Sequence, residues 1–244
     1  MDKSDFSHHY IQRFNAELEK VRTDTLAMGG LVEQQLADAV QSLVRRDPEL
    51  ARQVIANDVK VNGMDVKVDE LCTSILARRQ PTASDLRLIL TVLRTTTDLE
   101  RIGDEAKRVA RMAVSTSSST DARSVFLEIE HLGEQVREML HDALNALARF
   151  DVEAALAVAD QDSRVDREYE NILRQCITYM MEDPRTIPFV LDIIWAARSL
   201  ERIGDRCCNI CEYLIYFVKG RDVRHTDLRE IESELKQERS SGIN

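Results

Sequence analysis

The 244-residue chain contains little of what sheets and turns require: eight glycines, four prolines and 5% aromatic residues. So few chain breakers and aromatic side chains argue against a β-sandwich, a barrel or a parallel sheet. No apolar run is long enough to span a membrane, and the polar N-terminus does not have the form of a signal peptide. We therefore expect a cytoplasmic protein whose five cysteines are reduced thiols.

Positive charge is also scarce, since 33 lysines and arginines stand against 43 aspartates and glutamates, for a formal net charge of -10. A protein that binds nucleic acid without sequence preference needs a basic face to displace counterions. The acidic balance argues against such a partner and against an acidic membrane surface. Charged residues make up 31% of the chain, with many Ala, Leu, Glu and Arg, which suits long amphipathic helices.

The same pattern occurs twice along the chain. The hexapeptide Leu99–Asp104 (LERIGD) recurs as Leu200–Asp205. Upstream of the hexapeptide, one constant shift in numbering pairs Leu36 with Leu140, Asp58 with Asp162, Val61 with Val165 and Cys72 with Cys176. Repetition at a fixed spacing indicates a duplicated structural unit. The two copies run from about residue 15 to 113 and from about residue 125 to 220.

Each copy predicts three helices. Asp47 has the position of an N-cap, and Asp151 repeats it in the second copy. Pro81 and Pro184 interrupt the chain before each third helix, and Gly220 is expected to stop the last one.

We therefore expect an all-α fold of two tandem three-helix bundles. Residues 1–116 would form the first repeat, residues 117–222 the second, and residues 223–244 a charged C-terminal tail. The serine- and threonine-rich stretch 115–120 would link the repeats.

Pairs of acidic residues accompany the repeated hexapeptide. Glu100 and Asp104 are four residues apart, about 6 Å on one helix face, and Glu201 and Asp205 are spaced in the same way. The helical periodicity places this face nearly opposite the apolar stripe. Glycine between the acids costs about 1 kcal/mol in a helix, so keeping it in both copies indicates a close neighbour.

The second helix of each copy supplies more oxygen ligands at the same spacing, namely Asp58 with Asn62 and Asp162 with Asp166. Oxygen-rich sets of this kind suit hard cations such as Mg²⁺, Ca²⁺, Mn²⁺ or iron. Two interpretations are open: a metal site, or an acidic face that is solvated or binds a partner.

The remaining reactive side chains favour structural roles. Cys207 and Cys211 occupy core positions, so the C-x-x-C that ends at Cys211 is expected to be buried packing. Two E-x-x-H patterns end at His131 and His141, but they lie on one helix and cannot converge on one ion. Trp195 falls in an apolar run and is expected to pack inside. No nucleophile or phosphate-loop motif occurs, so we expect no enzyme.

The doubled hexapeptide, together with Ala77–Arg87 (ARRQPTASDLR) and Thr178–Arg185 (TYMMEDPR), closely resembles the PhoU family of bacterial phosphate-transport accessory proteins. The resemblance runs from Phe14 to His225. It implies two three-helix bundles with pseudo-twofold symmetry, usually as a homodimer. It also implies a negative regulator of the phosphate-starvation response, a cytoplasmic adaptor between the ATPase subunit of the phosphate ABC transporter and a sensor histidine kinase.

The family resemblance further implies that a divalent metal or iron, although not required, can bind at the acidic motifs. The matching positions are Glu100, Asp104, Glu201, Asp205, Asp58, Asp162 and Asp166. Asn62 departs from an all-acid pattern and lowers the ligand count of the first copy. The competing interpretation is a metal-dependent, carboxylate-bridged enzyme of the di-iron type, or a scaffold that sequesters metal.

Overall fold

The computed structural model describes residues 3–116 and 123–224, and their side chains over 12–116 and 126–224. Six helices lie within these ranges, namely α1 (Lys3–Val44), α2 (Pro48–Arg79), α3 (Ala83–Thr116), α4 (Arg123–Arg149), α5 (Val152–Glu182) and α6 (Ile187–Lys219), with a 3-10 turn at Pro184–Thr186. No strand occurs within the described ranges, which confirms the all-α fold class. None of these helices combines the length and the apolar run needed to cross a membrane.

Local signals set the helix ends where the sequence predicts them. The Asp47 carboxylate accepts hydrogen bonds from the backbone amides of Glu49 and Leu50, both at 3.0 Å, and so caps α2. Asp151 caps α5 through the two corresponding amides. Gly220 ends α6 with a φ of 71°, a left-handed conformation that glycine adopts without strain.

The predicted linker is partly wrong, because α3 continues through Ser115 and Thr116. The hydroxyl of each donates to the backbone carbonyl of Met112, one turn earlier in the helix. Residues 117–120 of that linker lie outside the described residues, as do residues 225–244 of the predicted tail.

The six helices pack as two three-helix bundles joined along two seams. Helices α1, α2 and α3 contact one another, and α4, α5 and α6 do the same. Between the bundles, α3 packs against α6 and α1 packs against α4. One apolar core runs through all six helices. A smaller core lies where α1 covers the α2–α3 tip, and it is formed by Leu18, Val21, Val68, Cys72, Ile75, Ile89 and Val92.

The α3–α6 seam is antiparallel and contains buried ion pairs. Asp98, 2% exposed, accepts hydrogen bonds from the Arg206 guanidinium at 3.2 Å and the Tyr213 hydroxyl at 2.9 Å. Glu105, 3% exposed, pairs with Arg202 at 3.2 Å. Buried carboxylates need such partners because desolvation strongly disfavours a lone charge. These pairs therefore fix which residues of α3 face which residues of α6.

The α1–α4 seam depends on glycines that let the helices approach closely. A Cβ added at Gly29 would lie 2.6 Å from Leu144 Cδ2, and a Cβ added at Gly133 would lie 2.6 Å from Val40 Cγ1. Gly133 is the repeat equivalent of Gly29, and Leu144 is that of Val40. The two contacts are therefore copies of one contact, related by the pseudo-twofold axis.

We predict that Gly133→Ala destabilises the protein. Valine is stiff at χ1, so Val40 cannot rotate away from the new methyl group. Overpacking of this kind costs about 1–3 kcal/mol, although alanine favours the helix by about 1 kcal/mol. Urea unfolding followed by circular dichroism should show a lower midpoint.

Gly30→Ala is the matched control, because Gly30 lies one residue beyond Gly29, is exposed, and has nothing within 4 Å of an added Cβ. It should raise stability by up to about 1 kcal/mol through helix propensity alone. Equal shifts for the Gly133→Ala and Gly30→Ala variants would contradict the close approach.

Candidate functional site

The acid pairs lie beside the core and not opposite it, which corrects the prediction from periodicity. Glu201 is buried, with 8% of its surface exposed, and Glu100 is half-buried. Asp104 is partly exposed and Asp205 is exposed. The reason is that α3 and α6 pack against each other and also against α2 and α5, respectively. The face flanking their apolar stripe is therefore covered by α2 or α5.

The repeated glycines allow the close approach that the sequence predicts. A Cβ at Gly103 would lie 3.3 Å from Val61 Cγ1 of α2, and one at Gly204 would lie 3.3 Å from Val165 Cγ1 of α5. Beside each glycine lies an aspartate of that neighbouring helix, with Oδ1 of Asp58 at 3.7 Å and Oδ1 of Asp162 at 3.4 Å. The glycines therefore bring the acids of the second and third helices together in both repeats.

In the first repeat, the aspartate beside the glycine is fully paired. Asp58 is 2% exposed, and its Oδ2 lies 2.6 Å from the Lys107 ammonium. Its Oδ1 accepts a hydrogen bond of 3.1 Å from the amide of Gln35. Lys107 also lies 3.5 Å from Asp104 Oδ1. Both carboxylate oxygens of Asp58 therefore have partners within the protein.

In the second repeat, two acids keep buried oxygens without a hydrogen-bond partner. These atoms are Asp162 Oδ1 and Glu201 Oε2. The other oxygen of Glu201 pairs with Arg198, whose side chain is 46% exposed. Met139 Sδ lies near the same glycine, 3.9 Å from an added Cβ at Gly204. A buried acceptor without a donor costs free energy and calls for an explanation such as an ion.

Burial and mutual repulsion perturb these carboxyl groups. Burial, followed by the Asp166 and Asp205 carboxylates, raises the pKa of Asp162 to about 6. Burial and then the Asp205 charge raise the pKa of Glu201. In the first repeat, burial and then Asp104 raise the pKa of Glu100. Perturbed carboxyls in a cluster are typical of functional sites, although structural clusters also produce them.

The side chains do not form a ready-made metal centre. Among those that the structure describes, no three from histidine, cysteine, aspartate and glutamate converge to hold one ion. Asn62 and Asp166 are exposed on α2 and α5. The structure thus brings the acids of adjacent helices into one neighbourhood, with the outer ones turned toward solvent.

Sequence reasoning missed several charged residues of the first repeat. Asp65 lies close enough to Glu100 to raise its pKa, and its spacing of seven residues from Asp58 places both on one face of α2. The position of Lys107, three residues after Asp104, predicts only a contact within α3, whereas Lys107 also pairs across to Asp58 of α2. Nothing in the sequence alone identifies that contact, because it joins two helices.

The cysteine and histidine predictions are confirmed for the residues concerned. Cys207 and Cys211 are buried in the main core, and Cys208 is half-buried. His131 and His141 are exposed on α4 and do not share a site, so the histidines of a di-iron centre are missing from the described acid clusters.

The prediction for Trp195 is wrong. Its side chain is 63% exposed, in an apolar stripe along the first half of α6 with Ile187 and Leu191. Its neighbours Ala196 and Ala197 take the buried positions, so the apolar run gives the helix more apolar residues than its inner face can hold. Apolar surface of this kind often contacts another molecule.

Comparison with known proteins gives consistent matches over almost the whole chain. The PhoU domain model matches twice, over residues 25–113 and 129–214. The chain is 52% identical over 236 residues, 97% of this chain and 92% of the relative, to the phosphate-specific transport system accessory protein PhoU homolog of Pseudomonas putida. It is 48% identical over 235 residues, 96% of this chain and 97% of the relative, to the accessory protein PhoU of Escherichia coli.

Two crystal structures share the fold. PhoU from Pseudomonas aeruginosa superposes with a TM-score of 0.83 at 55% identity, covering 85% of this chain and all 100% of that one. The phosphate transport system regulatory protein PhoU from Streptococcus pneumoniae gives 0.80 at 28% identity, covering 86% of this chain and 99% of that one. The matches support the duplicated helical fold.

We predict that Cys207 and Cys211 resist alkylation in the native protein. Burial raises the pKa of both thiols well above the ordinary value, so the reactive thiolate is scarce at neutral pH. Iodoacetamide at pH 7 followed by peptide mass spectrometry should modify them only after denaturation. Rapid native labelling would show that this part of α6 opens.

Proposed function

Because this chain belongs to the PhoU family, we propose that it takes part in the control of phosphate transport and restrains the phosphate-starvation response when phosphate is plentiful. The observation that carries the proposal is the doubled PhoU unit, retained over nearly the full length of relatives named as accessory proteins of the phosphate-specific transport system. The function is one of binding, in which the chain docks partners on the cytoplasmic side and catalyses no reaction.

We propose that its partners are the ATPase subunit of the phosphate ABC transporter and a sensor histidine kinase, with the chain acting as a homodimer. Two features favour an adaptor. The repeats present related acidic surfaces, with Asp104 on one and Asp205 on the other, so the chain offers two similar faces. The formal net charge of -10 also favours basic surfaces on the partners and fast encounter with them.

The test is complementation in a host strain from which the gene has been deleted. In phosphate-rich medium, the deletion should raise phosphate uptake and starvation-gene expression to the level of phosphate-starved cells. The wild-type chain should restore repression, whereas Asp104→Lys with Asp205→Lys should not. The Asp205 side chain is exposed and the Asp104 side chain is 46% exposed, so charge reversal there should alter docking and leave the core intact.

Glu70→Lys with Glu182→Lys is the matched control, because it makes the same charge change at exposed acids away from both sites. It should restore repression, and in pull-downs it should retain the kinase and ATPase domains that the site variant loses. Repression unaffected by deletion of the gene would refute the regulatory function. Full activity of the site variant would instead exclude these acids from docking.

A second role is favoured by the orphaned oxygens of the second repeat. We propose that Asp162, Asp166, Glu201 and Asp205 bind a divalent metal ion. Glu201 is more than nine-tenths buried with Oε2 unpaired, and Asp162 Oδ1 is likewise buried and unpaired. Asp166 and Asp205 are exposed and free to turn inward. A bound ion would neutralise mutually repelling carboxylates and tie α5 to α6.

We predict that Asp162→Asn abolishes metal binding and stabilises the metal-free protein. A pKa of about 6, raised from 3.8, means that ionised Asp162 destabilises the fold at pH 7. A shift of roughly two units corresponds to about 3 kcal/mol, and solvent screening reduces the expected gain to about 1–2 kcal/mol. The same linkage makes metal-free wild type gain more stability than the variant as the pH falls from 7 toward 4.

Equilibrium dialysis with Mn²⁺ and thermal melting measure the two effects. Asp160→Asn is the control, since Asp160 is an exposed acid two residues earlier on α5. It should bind the ion and melt as wild type does. Metal binding by Asp162→Asn equal to that of wild type would refute the second-repeat site.

A further inference from the structure

The two acid sites are copies of each other, so what differs between them is informative. The constant shifts that align the repeats pair Gln35 with Met139 and Lys107 with Cys208. In the first repeat, these positions provide an amide and an ammonium that contact Asp58. In the second repeat, they provide a thioether and a thiol. Neither carries a positive charge, and Asp162 keeps an unpaired oxygen.

The contact of Lys107 with Asp58 is an interior ion pair and not a surface one. The side chain of Asp58 is 3% exposed and that of Lys107 is 21% exposed. The ammonium lies between Asp58 of α2 and Asp104 of α3, at 2.6 and 3.5 Å. The ammonium therefore bridges α2 and α3 beside Gly103. An ion in the second repeat would bridge α5 and α6 beside Gly204 in the same way.

We propose that the Lys107 ammonium takes the place of a metal ion in the first repeat, so that metal binding is confined to the second. An ammonium is a compact point charge with three hydrogen-bond donors. Because it is attached to the protein, the first site needs no cation from solution. A cation could reach Asp58 only by displacing the half-buried, paired lysine. The inference rests on the metal-binding role proposed above for the second repeat.

This assignment explains why the two copies of the motif differ around an unchanged core. The first repeat has Asn62 where the second has Asp166, but it has Asp65 where the second has Tyr169, so it does not carry fewer carboxylates. What differs is the source of the positive charge, which in the first repeat is the Lys107 ammonium.

The test exchanges the two residues in the full chain. With Co²⁺ as the probe, equilibrium dialysis of metal-free protein should give one ion per wild-type chain. Lys107→Ala should bind two, because it opens the first site. Cys208→Lys should bind none, because its ammonium can reach Asp162. Lys60→Ala, which removes an exposed lysine of α2 two residues after Asp58, is the control and should bind one ion.

Thermal melting supplies an independent readout. Lys107→Ala leaves Asp58 buried and without its cation, so the metal-free variant should melt below wild type. Saturating Co²⁺ should return its melting temperature toward the wild-type value. If Lys107→Ala does not fold without metal, refolding with Co²⁺ should recover native circular dichroism with two bound ions, and failure to do so counts against the proposal.

The outcomes separate the two proposals. Lys107→Ala that binds no more Co²⁺ than wild type overturns the inference, as does a wild-type chain that binds two ions. A wild-type chain that binds none, with one ion gained by Lys107→Ala, supports the role of Lys107 and refutes the second-repeat site.

Discussion

The buried charge pairing between α3 and α6 is the constraint on which the rest of the structure depends. These two helices make the most extensive contact in the described structure, and each also contacts both other helices of its own repeat. Asp98 and Glu105 are almost fully buried, and their cationic partners Arg206 and Arg202 come from the other repeat. Removing one partner of a buried pair costs far more than a surface contact contributes. The two bundles are therefore held in one register, and the acid sites flanking this seam inherit their positions.

The charges of the α3–α6 seam also explain why α3 pairs with α6 and not with a second α3. The position of Asp98 is taken by Ser199 in the second repeat, and that of Glu105 by Arg206. Two α3 helices packed in the same way would place Asp98 against Glu105, and two α6 helices would place Arg206 against Arg202. Like charges at a buried contact are strongly unfavourable, so the pattern favours pairing of α3 with α6 over pairing of two like helices. The glycine contacts of α1 with α4, by contrast, stay symmetric because shape alone sets them.

The sequence could predict whatever is local or repeated. Helix ends follow from caps such as Asp47, and the duplication follows from the hexapeptide, so both agree with the structure. Burial of Glu201 could not be predicted, because it depends on which neighbour covers the flank of α6. The apolar run around Trp195 led to the wrong prediction of a buried side chain. An apolar side chain on the outer face of a helix remains exposed. The contact of Lys107 with Asp58 joins residues 49 positions apart, so helical periodicity cannot predict it.

The two acid sites show how duplication permits unequal solutions to one electrostatic problem. Close packing of α2 on α3, and of α5 on α6, at a glycine removes aspartates from water. An unpaired charge in the protein interior is costly. The first repeat meets this cost within the chain, by pairing Asp58 with an ammonium. The second leaves Asp162 with an unpaired buried oxygen and a raised pKa, a state that is stable only because the surrounding core outweighs it. A group kept in such a state gains most from a ligand that arrives from solution. The first repeat therefore neutralises its buried aspartate within the chain, whereas the second leaves the charge of Asp162 without a cationic partner.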